Sequence, residues 1–363
     1  MVRVRLQDVA ARAGVSVKTV SNVVNGYRHV APDTRARVQL VLDEMGYRPN
    51  LAARNLRAGR TGVIALALPD LDNPYFAELT GSVVRAAEKH GLTVLVDQTE
   101  GLRDRELEVV EGFRNHLIDG LVMSPMALRA KDLTGRAAVD IPVVLLGEKF
   151  GAGAVDHVAI DNVAAAEAAT AHLVALGRTR IAVVGDQPGS RRRSGVAHLR
   201  RQGWERALTA AGLDVDERLV APVPAFDRQH GAAAVAALLD DGARPDALFC
   251  FNDTLAIGAL RLLADRGIDV PGDVAVIGID DVAEGRFAVP TLSTVAPDKA
   301  GIARTAVAML AERLDPASEQ RPPRDVRAGF ELVARESTLG RSASAVSAVR
   351  AAAAVPPPRG TAR

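Results

Sequence analysis

Over the first 46 residues, apolar positions recur three and four apart, the spacing of helices that bury one face. Leu6, Val9, Ala10 and Ala13 predict a helix over about 6–13, which Gly14 stops. Ser16 stands where an N-cap belongs, and a second helix is expected to reach about Asn25, ahead of Gly26. Pro32 suits the first turn of a third helix, whose inner face would be Val38, Val41, Leu42 and Met45, with Gly46 at its end. Residues 47–61, YRPNLAARNLRAGRT, read as a linker holding one short helical stretch.

Beyond residue 61 the pattern changes. Apolar runs of strand length alternate with helical segments: GVIALAL (62–68), LTVLV (92–96), DGLVMS (119–124) and PVVLLG (142–147), then RIAVVG (180–185), ALFCF (247–251) and VAVIGI (274–279). Alternation of this kind predicts parallel sheets covered by helices on both faces. The two series predict two lobes. The first would comprise about 61–162 and 292–325, the second about 163–291 and 326–340. TLSTV (291–295) is expected to begin the return to the first lobe, and GFELVARES (329–337) to hold a late strand of the second. The Ala/Ser/Pro-rich residues 341–363 read as a disordered tail without leucine heptads. The expected class is thus α plus α/β: a helical headpiece over 1–49, a hinge over 50–60, a two-lobed doubly wound body over 61–340, and the tail.

Charge sharpens this division. The whole chain of 363 residues carries +1, but residues 1–60 hold eleven Lys and Arg against four Asp and Glu, leaving the remainder acidic. A basic head on an acidic body points to a polyanion as partner of the head. The single cysteine, Cys250, excludes an internal disulfide and a cysteine-based zinc site. No unbroken apolar run in MVRVRLQDVAARAG resembles a secretory leader, and no stretch approaches a membrane span, so a cytoplasmic protein without membrane contact is expected.

Two helices joined by a tight glycine turn, the second polar on its outer face, describe a helix-turn-helix. Val20, Val23 and Val24 share the inner face of the second helix; Val17, Lys18, Ser21, Asn22 and Asn25 share the outer one. In a major groove Lys18 can donate to guanine, Asn22 can pair with adenine through both atoms of its amide, and Val17 can touch a thymine methyl. Ser16, Thr19, Ser21, Asn25 and His29 suit contacts to the DNA backbone.

These residues carry a resemblance. LQDVAARAGVSVKTVSNVVNG, TRARVQLVLDEMGYRPN, GVIALALPDLDNPYFAEL, DGLVMSP, HLVALGRTRIAVVG, FCFNDTLAIGALRLL and DVAVIGIDD, in that order over about 4–338, are similar to the lactose-repressor/galactose-repressor (LacI/GalR) family. The resemblance implies a homodimer on a pseudo-palindromic operator, with a body of periplasmic-binding-protein type and a small effector between its lobes. Ligand binding would change the angle between lobes, and with it the spacing of paired hinge helices. It implies that LAARNLRAG is a hinge helix inserting Leu56 into the minor groove, flanked by Arg54 and Arg57 on phosphates. One departure stands out: the family usually has arginine at the position of Asn22.

For the body, the resemblance implies effector contacts at Asp72, Tyr75 and Phe76 of DNPYFAEL, Arg200, three residues before Gly203, Phe226, five before Gly231, Asn252 of FCFND and Asp280 of GIDD, with Asp161 of AIDN as a further candidate. The chemistry agrees. Arginine and carboxylates clamp vicinal hydroxyls or a polar ring edge, and an aromatic face covers the apolar face of a sugar or a base. A sugar or sugar derivative is the expected effector, with a purine-like ring as the alternative; no cofactor is expected. The loop RRRS (191–194) reads as solvated and Trp204 as packing, and the seven histidines show no metal spacing. A transport-type binding protein would carry an export signal and no helix-turn-helix. An α/β enzyme would carry a phosphate loop, a nucleophile elbow, a dinucleotide fingerprint or a metal cluster, and none of these is present.

Overall fold

Val9, Ala10, Ala13, Val20, Val23, Val38, Val41 and Leu42 meet in one small core, and burying them is what folds the first three helices. The computed structural model describes residues 4–24, 27–47, 60–111, 117–128, 132–133, 141–147, 155–187, 195–315, 321–341 and 351–352. Helix α1 (Leu6–Ala13) opens with the Arg5 N–H donating to the Asp8 carboxylate at 2.8 Å and ends at Gly14, whose φ of 64° a side chain would strain. In α2 (Val17–Val24) the Ser16 hydroxyl accepts from the Thr19 N–H at 3.1 Å, the N-cap read from the sequence. Helix α3 (Pro32–Glu44) has its proline in the first turn. This headpiece belongs to a compact unit of residues 1–62; residues 63–363 form a second.

The second unit contains two sheets. Strands β1 (Val63–Leu68), β2 (Thr93–Gln98), β3 (Gly120–Met123), β4 (Val143–Leu146) and β5 (Asp156–Ile160) lie parallel, and helices α4 (Pro74–Lys89) and α5 (Arg103–Glu111) connect the first of them. The chain then passes through α6 (Asn162–Ala175) into β6 (Ile181–Asp186), α7 (Val196–Ala210), β7 (Val220–Pro222), α8 (Arg228–Asp240), β8 (Ala247–Cys250), α9 (Asp253–Asp265), β9 (Ala275–Ile279) and β10 (Ser293–Pro297). It closes with α10 (Lys299–Arg313), β11 (Asp325–Ala328), β12 (Phe330–Val333), α11 (Glu336–Leu339) and β13 (Ala351–Ala352). The strand orders are β11-β5-β4-β3-β1-β2 and β13-β12-β10-β9-β8-β6-β7.

Membership of the sheets moves two expected boundaries. β10 pairs in parallel with β9, so the second lobe keeps the chain through Pro297, not only to residue 291. The return to the first lobe begins with α10, which packs on α4, β3, β4 and β5. β11 pairs with β5 and stays in the first lobe, whereas the sequence pattern predicts residues from 326 onward in the second. The crossing back falls at Gly329, between β11 and β12. The cause is electrostatic as well as apolar. The fully buried Asp156 at the start of β5 pairs with Arg313 of α10 and with Arg324 just before β11, both at 3.0 Å. Burial works to raise its pKa, but hydrogen bonds from both arginines outweigh burial and hold the carboxyl below the usual range. In the tail read as disordered, Ala351 and Ala352 pair antiparallel with Leu332 and Glu331.

Helices on the second lobe cross with backbones nearly touching. A β-carbon on Gly258 of α9 would lie 1.9 Å from the Arg228 carbonyl oxygen, and one on Gly231 of α8 would lie 2.3 Å from that of Leu255. Gly203 of α7 meets Val163 of α6 in the same way, at 2.3 Å. Trp204 beside it is completely buried, its indole N–H donating to the Ile181 carbonyl at 3.2 Å, so it packs as expected.

Candidate functional site

The outer face of α2 is built by the two buried positions beneath it. With Val20 and Val23 in the core, Val17 and Lys18 are turned to solvent, and Ser21 and Asn22 are half-buried on its flank. The Ser16 and Thr19 hydroxyls lie 2.8 Å apart at the N-terminus. His29 is exposed and packs edge-on against Tyr27, with ring centroids 5.6 Å apart. Arg35 donates to the Tyr27 carbonyl and so fixes the turn that carries both rings. Asn25, Arg54, Leu56, Arg57, the hinge helix and the RRRS loop lie outside the described residues.

In the body, strand ends and helix starts of both lobes converge. Phe251 and Asn252 follow β8; Asp280 follows β9; Tyr75 and Phe76 open α4; Arg200 lies on α7. Arg200 is buried, and its guanidinium donates to the Asn162 side-chain oxygen at 3.0 Å and to the Phe251 carbonyl. Phe226 packs edge-on against Phe251 at 6.4 Å, and its carbonyl accepts from the Thr254 hydroxyl at 2.9 Å. The Asn252 side chain caps α9 by accepting from the Leu255 N–H at 2.9 Å, while its amide nitrogen reaches the Phe226 carbonyl at 3.4 Å. Tyr75 and Phe76 meet edge to face at 5.2 Å.

Electrostatics tie this group across the lobes. Burial pushes the Tyr75 phenol upward, the Asp280 carboxylate adds to the shift, and Arg200 opposes it. Burial likewise pushes Asp280 up to about 6, against the pull of Arg200 and Lys299 and with a further push from Glu78. The Asp280 carboxylate accepts no hydrogen bond from a described residue, although it is only 6% exposed. Behind it Asp253 is driven up to about 8 by burial and by Asp280, with hydrogen bonds from Thr294 and Val282 opposing. Among the described residues no cluster of His, Cys, Asp and Glu could hold a metal ion, and no helix is long and apolar enough to cross a membrane.

Two candidate residues stand apart from this group. Asp72 is exposed in the turn before α4, its N–H donating to the Asp70 carboxylate at 2.9 Å. Asp161 is spent on α6, where it accepts from the Val163 and Ala164 N–H groups at 3.1 and 3.0 Å. Its neighbour Asn162 makes the contact to Arg200 instead. Asn162 also lines a cavity of about 260 Å³ with Asp161, Leu199, Arg206 and Arg327. A larger cavity of about 450 Å³ lies beside β7 and α8 and includes none of the candidate residues. Besides Asn162, sequence reasoning missed Glu78, Lys299 and Asp253. Asp253 and Asn162 each follow a singled-out residue, which was the available signal; Glu78 and Lys299 gave none.

Comparison with known proteins agrees with this architecture. Residues 5–50 match the model of bacterial regulatory proteins of the lacI family, and residues 170–338 that of a periplasmic binding protein-like domain. The HTH-type transcriptional regulator DegA of Bacillus subtilis is 34% identical over 80% of this chain and 86% of its own. Among solved structures, the transcriptional regulator CelR in complex with cellobiose is 30% identical with a TM-score of 0.67, over 92% of this chain and all of that one. The lac repressor dimer bound to operator and the anti-inducer ONPF is 25% identical with a TM-score of 0.76, over 93% of this chain and all of that one.

Proposed function

The chain belongs to the LacI family of bacterial regulatory proteins, a DNA-binding transcription regulator and not an enzyme, and from that premise we propose that it is a repressor governed by a sugar held between its lobes. As a homodimer it binds a pseudo-palindromic operator through Ser16, Val17, Lys18, Thr19, Ser21, Asn22, Asn25 and His29, with Leu56 wedged into the minor groove between Arg54 and Arg57. The effector lies against Tyr75, Phe76, Arg200, Phe226, Asn252 and Asp280. Asp72 and Asp161 are the weaker members of that set, since one is exposed and the other caps a helix.

One observation carries the choice of effector. The Asp280 carboxylate is nearly enclosed, lacks a hydrogen-bond donor among the described residues, and faces a buried arginine and a half-buried tyrosine of different elements. A buried carboxylate without a donor is costly, and hydroxyl groups of a sugar supply what it lacks. That CelR was solved with cellobiose favours a disaccharide within this class. Occupancy of this site and affinity for DNA are reciprocally coupled, because each ligand shifts the equilibrium the other reads.

The test is thermal unfolding with cellobiose, ribose, adenine and guanine, followed by calorimetry. A ligand of the native state raises the midpoint. A sugar should do so, and Asp280→Asn and Arg200→Ala should abolish the shift while leaving selection of an operator from randomised duplexes unchanged. A midpoint raised by a purine and by no sugar would replace the effector class. Unaltered sugar affinity in both variants would place the site elsewhere.

A further inference from the structure

Glu78 and Lys299 hold the backbone that carries Asp280. Glu78 projects from α4 of the first lobe. One carboxylate oxygen lies 2.6 Å from Lys299 Nζ, and the other accepts from the Ala283 N–H of the second lobe at 2.8 Å. Lys299, at the start of α10, donates to the carbonyl oxygens of Asp280 at 2.6 Å and Asp281 at 2.9 Å. One ion pair thus grips three peptide groups of a single turn. The turn is strained: Asp280 and Asp281 have φ of 129° and 49°, values that a non-glycine residue adopts only when its surroundings compel it.

The remaining bonds of the turn come from its own lobe. Asp253 accepts from the Val282 N–H at 3.0 Å and from the Thr294 hydroxyl at 2.7 Å. Arg335 and Arg286 both hold the Asp281 carboxylate. Glu78 and Lys299 are therefore what ties the turn to the first lobe. They bond its peptide groups and make no hydrogen bond to the Asp280 carboxylate, which feels only their charges. The Lys299 ammonium is largely screened from solvent, at 14% side-chain exposure, so the pair outweighs an ordinary surface ion pair.

We propose that Glu78 and Lys299 are positioning residues, forming a latch that closes the first lobe on the turn at 280–283 and presents the Asp280 carboxylate to the effector. Lobe closure and effector affinity then rise and fall together, because apparent affinity scales with the fraction of protein in the competent state. This rests on the assignment of Asp280 to the effector.

Hydrogen exchange of the ligand-free full chain tests the latch without any effector. Glu78→Ala should speed exchange of the Ala283 amide about tenfold or more and leave that of β9 unchanged. Glu78→Gln, which keeps an oxygen for Ala283 and loses the charge for Lys299, should fall between. Ala283 exchange equal to the parent's in both variants overturns the proposal. Calorimetry with cellobiose tests presentation. Glu78→Ala and Lys299→Met should bind about tenfold more weakly, and Lys299→Arg, which can still donate to both carbonyls, should recover most of the loss. Faster exchange with unaltered cellobiose affinity would overturn the positioning role. If the parent binds neither cellobiose nor ribose, the sugar reading fails and takes the presentation role with it, and Ala283 exchange alone decides whether the latch exists.

Discussion

Asp280 is a residue kept at the expense of stability. It is largely buried, in the field of Asp253, and its carboxylate has no hydrogen-bond donor among the described residues, on a backbone with φ of 129°. Asp280→Asn should therefore raise the unfolding free energy of the ligand-free protein, by about 1–3 kcal/mol at pH 8, while abolishing effector binding. The sign follows from linkage. A carboxyl whose folded value is raised to about 6 stabilises fully below its unfolded value of 3.8 and loses that contribution as pH rises through 6. The advantage of asparagine should thus be present at pH 8 and shrink toward pH 4, as chemical denaturation across that range would show. An advantage that grew on acidification would contradict the raised value. Asn22 offers a second test at this scale. Asparagine suits adenine and arginine suits guanine, each bidentate pair discriminating by about 1–3 kcal/mol. Asn22→Arg should shift one symmetric position of each half-site from adenine toward guanine, and selection on randomised duplexes would reveal it. Identical consensus sequences would leave base reading to Val17 and Lys18. Residues such as Arg200 and Asp280 could be named from the chain because they stand in recognisable strings. Glu78 and Lys299 could not, because their meaning depends on a meeting between residues more than 200 positions apart in sequence.

At the scale of elements, legibility followed burial. Strands β1, β6 and β9 are nearly unbroken apolar runs and were read within a residue or two. β5, DHVAI, was not read as a strand, because it begins with Asp156 and His157. Asp156 can be buried there only through Arg313 and Arg324, which lie more than 150 positions away in sequence and leave no local trace. β7 is three residues long and ends in proline, below what periodicity can register. The glycines on helices were equally silent, yet they fix how closely α8 and α9 approach. Gly258→Ala should force those helices apart and cost about 1–3 kcal/mol or more, since the methyl would meet backbone and not a movable side chain. Helix propensity works the other way, favouring alanine over glycine by about 1 kcal/mol, so a loss would be owed to the crossing. A urea midpoint for Gly258→Ala equal to or above the parent's would mean that the crossing relaxes freely.

Over the whole molecule, charge and topology divide the labour. The excess of basic over acidic residues sits in the first 60 positions, so affinity of the full chain for duplex DNA should fall linearly with salt on logarithmic axes, by roughly tenfold or more between 50 and 200 mM. Binding indifferent to salt over that range would remove the headpiece from the contact. The body behaves otherwise. Its chain runs between the two sheets three times, after β5, after β10 and after β11, so neither lobe is one continuous stretch of sequence. This sets a rule for recombination. A DNA reader can be exchanged as one cassette ending near residue 62, because residues 1–62 form a compact unit of their own. An effector reader cannot be exchanged one lobe at a time: any crossover between β1 and β12 joins strands of one parent to neighbours of the other in at least one sheet. Chimeras with relatives should therefore fold and inherit their effector when the joint falls near residue 62, and fail when it falls between the lobes.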